Sequence, residues 1–289
     1  MDRQTELGII RATYAKQILA AASVVDARLE AAFGATHRED FLGAGPWSVL
    51  RWFRNYVVTP DADPVYLYTD DLIAIVPERR INNGQPSLHA RLIHYAAPAA
   101  DEHVVHIGTG TGYYTAILAH LVGPSGRVTG IEYDPELAAR ARRNFASQLN
   151  VDIVQGDGTS VPFGEADAIY VNAGCTRPAE SWLDGLADHG RLILPLTSDQ
   201  GFRASSPERM ASAGAVFCIE RRGSDYFAAW ILPVAIFPCA GSRDEGSERA
   251  LAEAFAKGGW ERVTRLYRHQ DIPEERCWVR GPGWCLAYS

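Results

Sequence analysis

The chain predicts an α/β protein: a mostly parallel, doubly wound sheet with an antiparallel edge hairpin, plus an N-terminal helix and a C-terminal extension. Three observations lead there. From Val104 onward, short β-branched runs alternate with helical patterns. The strand candidates are almost continuously apolar, as strands covered on both faces must be. After residue 214 the rhythm changes, and two longer strand patterns meet across "GSD" as a hairpin.

The elements follow in order. Residues 5–33 carry Ile9, Ile10, Tyr14, Ile18, Leu19, Leu29 and Phe33 at helical spacing, with Gly34 as a stop. Residues 41–75 are mixed, with turn signals at "TPDADP" and a short strand candidate, "VYLYT". "VVHIG" is a strand, "YYTAILAHLV" a helix stopped by "GPSG", and "RVTGIEY" a strand. "DPELAARARRNFASQL" is a helix with Asp134 as N-cap and Pro135 at its first position. "VDIVQGD" and "ADAIYVNAG" are strands, "RPAESWLDGLADHG" a helix and "RLILPL" a strand. A helix over 244–257 and short strands near 261–267, 276–280 and 284–288 complete the pattern.

The formal net charge of the 289 residues is -7, and basic runs are no longer than pairs such as Arg142-Arg143. Duplex binding needs clustered Lys and Arg, so the charge disfavours nucleic acid as the main partner. No run approaches the apolar length of a membrane span, and "MDRQTELG" is not a signal peptide. Five cysteines without a CxxC pair exclude a zinc site or disulfide framework and suggest reduced thiols in a cytoplasmic protein.

"HIGTGTGYYT" sets Gly108, Gly110 and Gly112 between a strand and a helix, where backbone N–H groups can meet a ligand closely. The nicotinamide fingerprint needs a third glycine where Tyr113 or Thr115 stands. G-x-G-x-G is instead the spacing of S-adenosyl-L-methionine (SAM) methyltransferases. Glu132 ends the next strand, 20 residues after Gly112, where a carboxylate can accept the ribose hydroxyls. Asp157, in "QGDG" with Gly158, follows the third strand and suits the adenine amine. Three such signals in order at strand carboxyl ends describe one nucleoside site in a Rossmann-like methyltransferase.

Over residues 41–238 the chain resembles protein-L-isoaspartate O-methyltransferases. The resemblance rests on "VVHIGTGTGYYTAILAHLVGPSGRVTGIEYDPEL", on "ADAIYVNAGCTRPAESWLDGLADHGRLILPL" and on the upstream "NNGQPSLHARLI". The chain divides into an N-terminal helical, substrate-side segment over 1–75, a SAM-binding domain over 76–238 and an α+β extension over 239–289, outside the resemblance, which the apolar spacing of Leu251, Phe255, Trp260, Trp278 and Trp284 packs on the core. The resemblance implies cofactor contacts from Gly108, Gly110, Gly112, Tyr113, Glu132, Asp157 and Gly158. Tyr133 would pack on adenine, and Asn172 would lie near the cofactor below the acceptor. His106 stands where the family has an acidic residue that helps hold the amino-acid end of SAM.

The second departure lies in the acceptor loop. The family's Thr-Ile-Ser before Gln-Pro is here Asn82, Asn83 and Gly84, followed by Gln85. The loop still suits a polar acceptor held through Asn82, Asn83, Gln85 and Ser87; equally, Asn83-Gly84 reads as a tight turn. A carboxylate acceptor is ionised at neutral pH, with a pKa near ~4, and needs no general base. The leading expectation is therefore SAM-dependent O-methylation of a carboxylate on a protein, peptide or small molecule. A modified peptide or metabolite as acceptor, and a non-catalytic SAM-binding protein, are the alternatives.

Overall fold

The structure, a computed structural model, describes residues 2–50, 55–79, 81–199, 213–239 and 241–288. The chain forms two compact units, one of Met1–Asp101 with Thr109–Gln155, the other of Glu102–Gly108 with Gly156–Ser289.

The first unit opens with two helices where the periodicity predicts one. They are α1 (Arg3–Ala21) and α2 (Ala27–Ala35). Ser23 takes φ 56°, and the Asp26 carboxylate accepts from the Arg28 and Leu29 N–H groups, so the chain breaks and restarts there. Gly34 is not the stop: it lies inside α2, where a Cβ would meet the Ala15 Cβ at 3.8 Å. A short helix, α3 (Glu39–Leu42), leads into strands β1 (Ser48–Leu50), β2 (Tyr56–Val58), β3 (Leu72–Val76) and β4 (Ile81–Asn82). They form an antiparallel sheet in the order β2-β1-β3-β4. "VYLYT" is not a strand: Pro64–Leu67 is a 3-10 turn, started by Asp63, whose carboxylate accepts the Val65 N–H. Proline at the first position and an acidic cap outweigh the β propensity of Val and Tyr.

Helix α4 (Pro86–Ala96) follows the Asn82–Gln85 loop. In the next strand–helix unit, β5 (His103–Ile107) belongs to the second unit. Helix α5 (Tyr113–Val122), β6 (Arg127–Glu132), α6 (Pro135–Asn144) and β7 (Val151–Gln155) belong to the first. Strands β6 and β7 pair in parallel, and Asp134 caps α6 as the sequence predicts.

The second unit contains β8 (Ala166–Val171), α7 (Glu180–Gly185), β9 (Leu186–Thr197), β10 (Gly214–Arg222) and β11 (Asp225–Pro233). It continues with α8 (Glu245–Lys257), β12 (Arg265–Arg268), β13 (Cys277–Gly281) and β14 (Trp284–Ala287). Strands β5, β8 and β9 are parallel neighbours. Helix α7 stops earlier than its pattern suggests, because Leu186 is fully buried and pairs with Ala166 as the start of β9. The β10–β11 hairpin is present but does not end the sheet: β12, β14 and β13 continue it antiparallel.

The C-terminal segment thus packs through its tryptophans. Trp278 lies 5.6 Å from Phe217 and 5.4 Å from Phe255, centroid to centroid. One cysteine expectation is overturned: Cys277 and Cys285 form a disulfide between the antiparallel neighbours β13 and β14, a proximity no CxxC spacing could reveal. Among the described residues Cys175, Cys218 and Cys239 are outside any disulfide. Among the described residues no helix is long and apolar enough to cross a membrane, and no His, Cys, Asp and Glu cluster suits a metal.

Candidate active site

In the first unit the glycine loop is built around a buried carboxylate. Glu132, at the end of β6, accepts from the Gly110 N–H at 2.6 Å and from the Asp134 N–H at 2.9 Å. Burial raises its pKa, against the pull of those N–H groups. Gly110 (φ 59°) has only the Ile75 Cδ1 within 4 Å of an added Cβ, at 3.9 Å. Gly112 (φ 104°) is glycine for packing as well, because a Cβ would strike the Phe145 ring at 2.4 Å. Tyr133 is 61% exposed. Tyr113 does not: it is buried among Phe33, Phe41 and Tyr14, and anchors the start of α5 in the core.

The Asn82–Gln85 loop belongs to the same unit and meets the same helix. The Tyr114 hydroxyl donates to the Gly84 carbonyl at 3.3 Å, and the His89 ring stacks on Tyr114 at 3.7 Å. Asn82 Oδ1 accepts the Gly84 N–H at 2.9 Å, an Asx turn that leaves its amide nitrogen facing outward from that bond. Asn83 Oδ1 accepts the Ile73 N–H at 3.0 Å, while Asn83 Nδ2 is buried with no partner among the described residues. Asp70 takes up the other two polar groups: it accepts from Gln85 Nε2 at 2.9 Å, and from the N–H (2.7 Å) and hydroxyl (2.6 Å) of Ser87. Gln85 and Ser87 therefore shape the loop, and Asn82 and Asn83 carry its remaining amide donors.

In the second unit, Gly108 (φ 80°) closes β5, and the Asn172 main chain lies so near that a Cβ there would be 3.1 Å from its carbonyl oxygen. Asn172 Nδ2 donates to the Gly108 carbonyl at 3.3 Å. Asp157 Oδ1 accepts from the N–H and hydroxyl of Thr159, each at 2.8 Å. Gly158 packs on Ile107, where a Cβ would meet Cγ2 at 2.5 Å, and its carbonyl accepts from Trp182 Nε1 at 2.7 Å. His106 is fully buried beside Tyr170, and desolvation pushes its pKa down to about 3, so its ring is neutral.

Two features escape the sequence reading. Gly241, beyond β11, lies against Asp157: a Cβ there would stand 2.3 Å from Oδ2. Its segment is fastened beside β8 by the Thr176 N–H to Ser242 carbonyl bond (2.9 Å) and the Cys239 N–H to Gly174 carbonyl bond (2.8 Å). The polar "CAGSRDEGS" was legible as a loop, but not its return to Asp157. The other is His89, whose Nε2 lies 2.1 Å from the place of a Cβ on Gly84. The side-chain volume missing at position 84 is filled by the histidine one helical turn into α4.

The described geometry fits a SAM site: a buried carboxylate fixed by the glycine loop, an exposed aromatic beside it, and glycines where a Cβ would intrude. Comparison with known proteins agrees. Residues 54–215 match the model of the family described as protein-L-isoaspartate(D-aspartate) O-methyltransferase. A protein-L-isoaspartate O-methyltransferase of Ignicoccus hospitalis is 32% identical over 166 residues, covering 55% of this chain and 74% of that one. One from Methanoregula boonei is 33% identical over 181 residues, 60% and 74% of the two chains. A solved protein-L-isoaspartate O-methyltransferase superposes with a TM-score of 0.64 at 23% identity, over 89% of this chain and 73% of that one. A Plasmodium falciparum structure holding S-adenosyl-L-homocysteine, assigned to the same activity, gives 0.60 at 16% identity, over 79% and 97%. These two likenesses concern the fold. By the family match and the identities, the chain belongs to the protein-L-isoaspartate(D-aspartate) O-methyltransferase family and is a SAM-dependent methyltransferase.

Proposed function

We propose that the chain methylates the isoaspartyl carboxylate of a protein or peptide, with the acceptor held at the Asn82–Gln85 loop. The observation that carries this reading is the Tyr114–Gly84 hydrogen bond. It holds the loop on the first turn of the helix that follows the glycine loop. SAM, when bound, supplies an electrophilic methyl group for in-line displacement by an oxygen nucleophile.

The chain's own residues bind and orient. Glu132, held by two backbone N–H groups, keeps lone pairs for the ribose hydroxyls. Tyr133 would pack on the adenine, and Asp157 would accept its amine. Gly108, Gly110 and Gly112 leave room for close approach. Asn172 braces the end of β5 through Gly108, and buried His106 supports the same strand end. Asn82 and Asn83 donate amide hydrogens to the acceptor carboxylate. Gln85, pinned by Asp70, sets the loop's direction into α4. No proton need be removed from an ionised carboxylate, so orientation supplies the rate, up to about 7–11 kcal/mol for well-aligned partners.

The test compares methyl transfer from SAM to an isoaspartyl peptide and to its aspartyl isomer. Transfer confined to the isoaspartyl peptide supports the reading; equal transfer to both, or to neither, refutes it.

A further inference from the structure

A cleft in the second unit takes no part in the chemistry above. Its volume is about 320 Å³, and it lies between the β10–β11 turn, β12 and the residues just after it. Pairing of β11 with β12 is confined to Tyr226 with Leu266 and Phe227 with Arg265. Past that point the turn and β12 no longer pair, and both line the cleft. Every lining residue falls within 221–270, outside the 54–215 family match, so the family's reaction gives this cleft no role.

Arg221, Arg265 and Arg268 line it, against one acidic lining residue among the described residues, Asp225; the Asp188 carboxylate stands close by, accepting the Gly223 N–H at 2.7 Å. Arg268 is engaged by Glu180 and Asp184. The other two are bound differently. Arg221 donates to the Gly223 and Leu186 carbonyls, at 3.0 and 2.6 Å. Arg265 lies over the Phe227 ring, 3.6 Å from its centroid. Neither arginine is in a salt bridge among the described residues. An arginine stacked on an aromatic face is held in orientation while its N–H edge stays available, the arrangement suited to a planar carboxylate. The exposed Ser224 at the turn adds a hydroxyl.

We propose that this cleft binds the carboxylates of an acidic peptide segment, carried by the acceptor away from its methylated residue. A volume in the range of ligand sites, two oriented guanidiniums outside any salt bridge among the described residues and an open boundary where strand pairing stops suit an extended acidic chain. That the peptide is the acceptor rests on the proposed methyltransferase function; the binding itself does not. The cleft thereby gives the β12–β14 segment a recognition role.

The test uses the full chain without SAM, so its outcome is independent of methyl transfer. Fluorescence anisotropy would follow labelled hexaglutamate and hexaglutamine. The expected result is salt-sensitive binding of hexaglutamate alone, weakened about tenfold or more in Arg221→Gln with Arg265→Gln. Arg265 also packs on Phe227, so Ser224→Asp, an exposed change at the turn, serves as the second variant; it should weaken binding several-fold at unchanged melting temperature. Absent hexaglutamate binding, or affinity indifferent to Ser224→Asp, overturns the proposal. Displacement by free glutarate at equal carboxylate concentration overturns it too, since the ligand would then be a small dicarboxylate.

Discussion

Replacing Gly84 by serine restores the residue that the family's loop carries at this place, yet the structure argues that the change is costly. Gly84 has φ +74°, and a non-glycine residue in the left-handed region costs about 1–2 kcal/mol. The added Cβ would also stand 2.1 Å from His89 Nε2 and 2.8 Å from its Cδ2. The imidazole cannot swing aside freely, because it is fully buried and stacked on Tyr114 at an interplanar angle of 16°. Overpacking of this kind costs about 1–3 kcal/mol. The total is about 2–5 kcal/mol, a fall in melting temperature on the order of 10 °C. Gly84→Ser, His89→Ala and the double variant would be compared by thermal and urea unfolding. In the double variant the clash is gone and the backbone strain remains, so the two changes should cost less together than the sum of the singles, by about 1–3 kcal/mol. A Gly84→Ser protein with unchanged stability, or strictly additive effects, would refute the claim that His89 occupies the missing side chain's volume.

Three further outcomes are expected. Glu132→Ala removes charge-assisted bonds worth about 1.5–3 kcal/mol each, so calorimetry should show SAM affinity reduced about 10- to 150-fold or more; unchanged affinity would remove Glu132 from the site. His106 is held neutral in the folded chain, with its pKa down to about 3, whereas the unfolded chain protonates near ~6.5. The unfolded state therefore binds more protons between those values, and stability falls by about 1.4 kcal/mol per pH unit as pH drops below ~6.5. Urea unfolding at pH 7.5 and 5 should show His106→Asn losing less stability on acidification than the wild type. Truncation after Ser242 removes Trp278, which packs on fully buried Phe217, and Phe255, which packs on Trp278, and should give an insoluble or strongly destabilised protein; a soluble product with an unchanged melting temperature would show that the segment is not part of the core.

The glycine loop, Glu132 and the α6 cap were legible because each is local. A glycine triplet after a strand, an acid at the next strand's end and Asp-Pro ahead of a helix carry their reasons in adjacent residues. What the sequence hid depends on residues distant along the chain. Nothing near Gly84 announces that His89 fills its space, and nothing near "AGS" announces contact with Asp157. The division of α1 from α2 turned on Asp26 as a cap inside an otherwise continuous apolar pattern. The early end of α7 turned on the pairing of Leu186 with Ala166, a burial that outweighs local helical spacing. The antiparallel continuation through β12, β14 and β13 was foreseen as strands, but their order and the Cys277–Cys285 link are tertiary facts.

The most direct measurement is mass spectrometry of an isoaspartyl peptide incubated with the full chain and SAM. The expected product is one methyl group, about 14 Da, on the isoaspartyl residue, lost in mild alkali as an ester and formed together with S-adenosylhomocysteine. It should fall away in Glu132→Ala. An unmodified peptide under conditions where calorimetry shows SAM bound, or a methyl group resistant to alkali, would contradict carboxylate methylation by this chain.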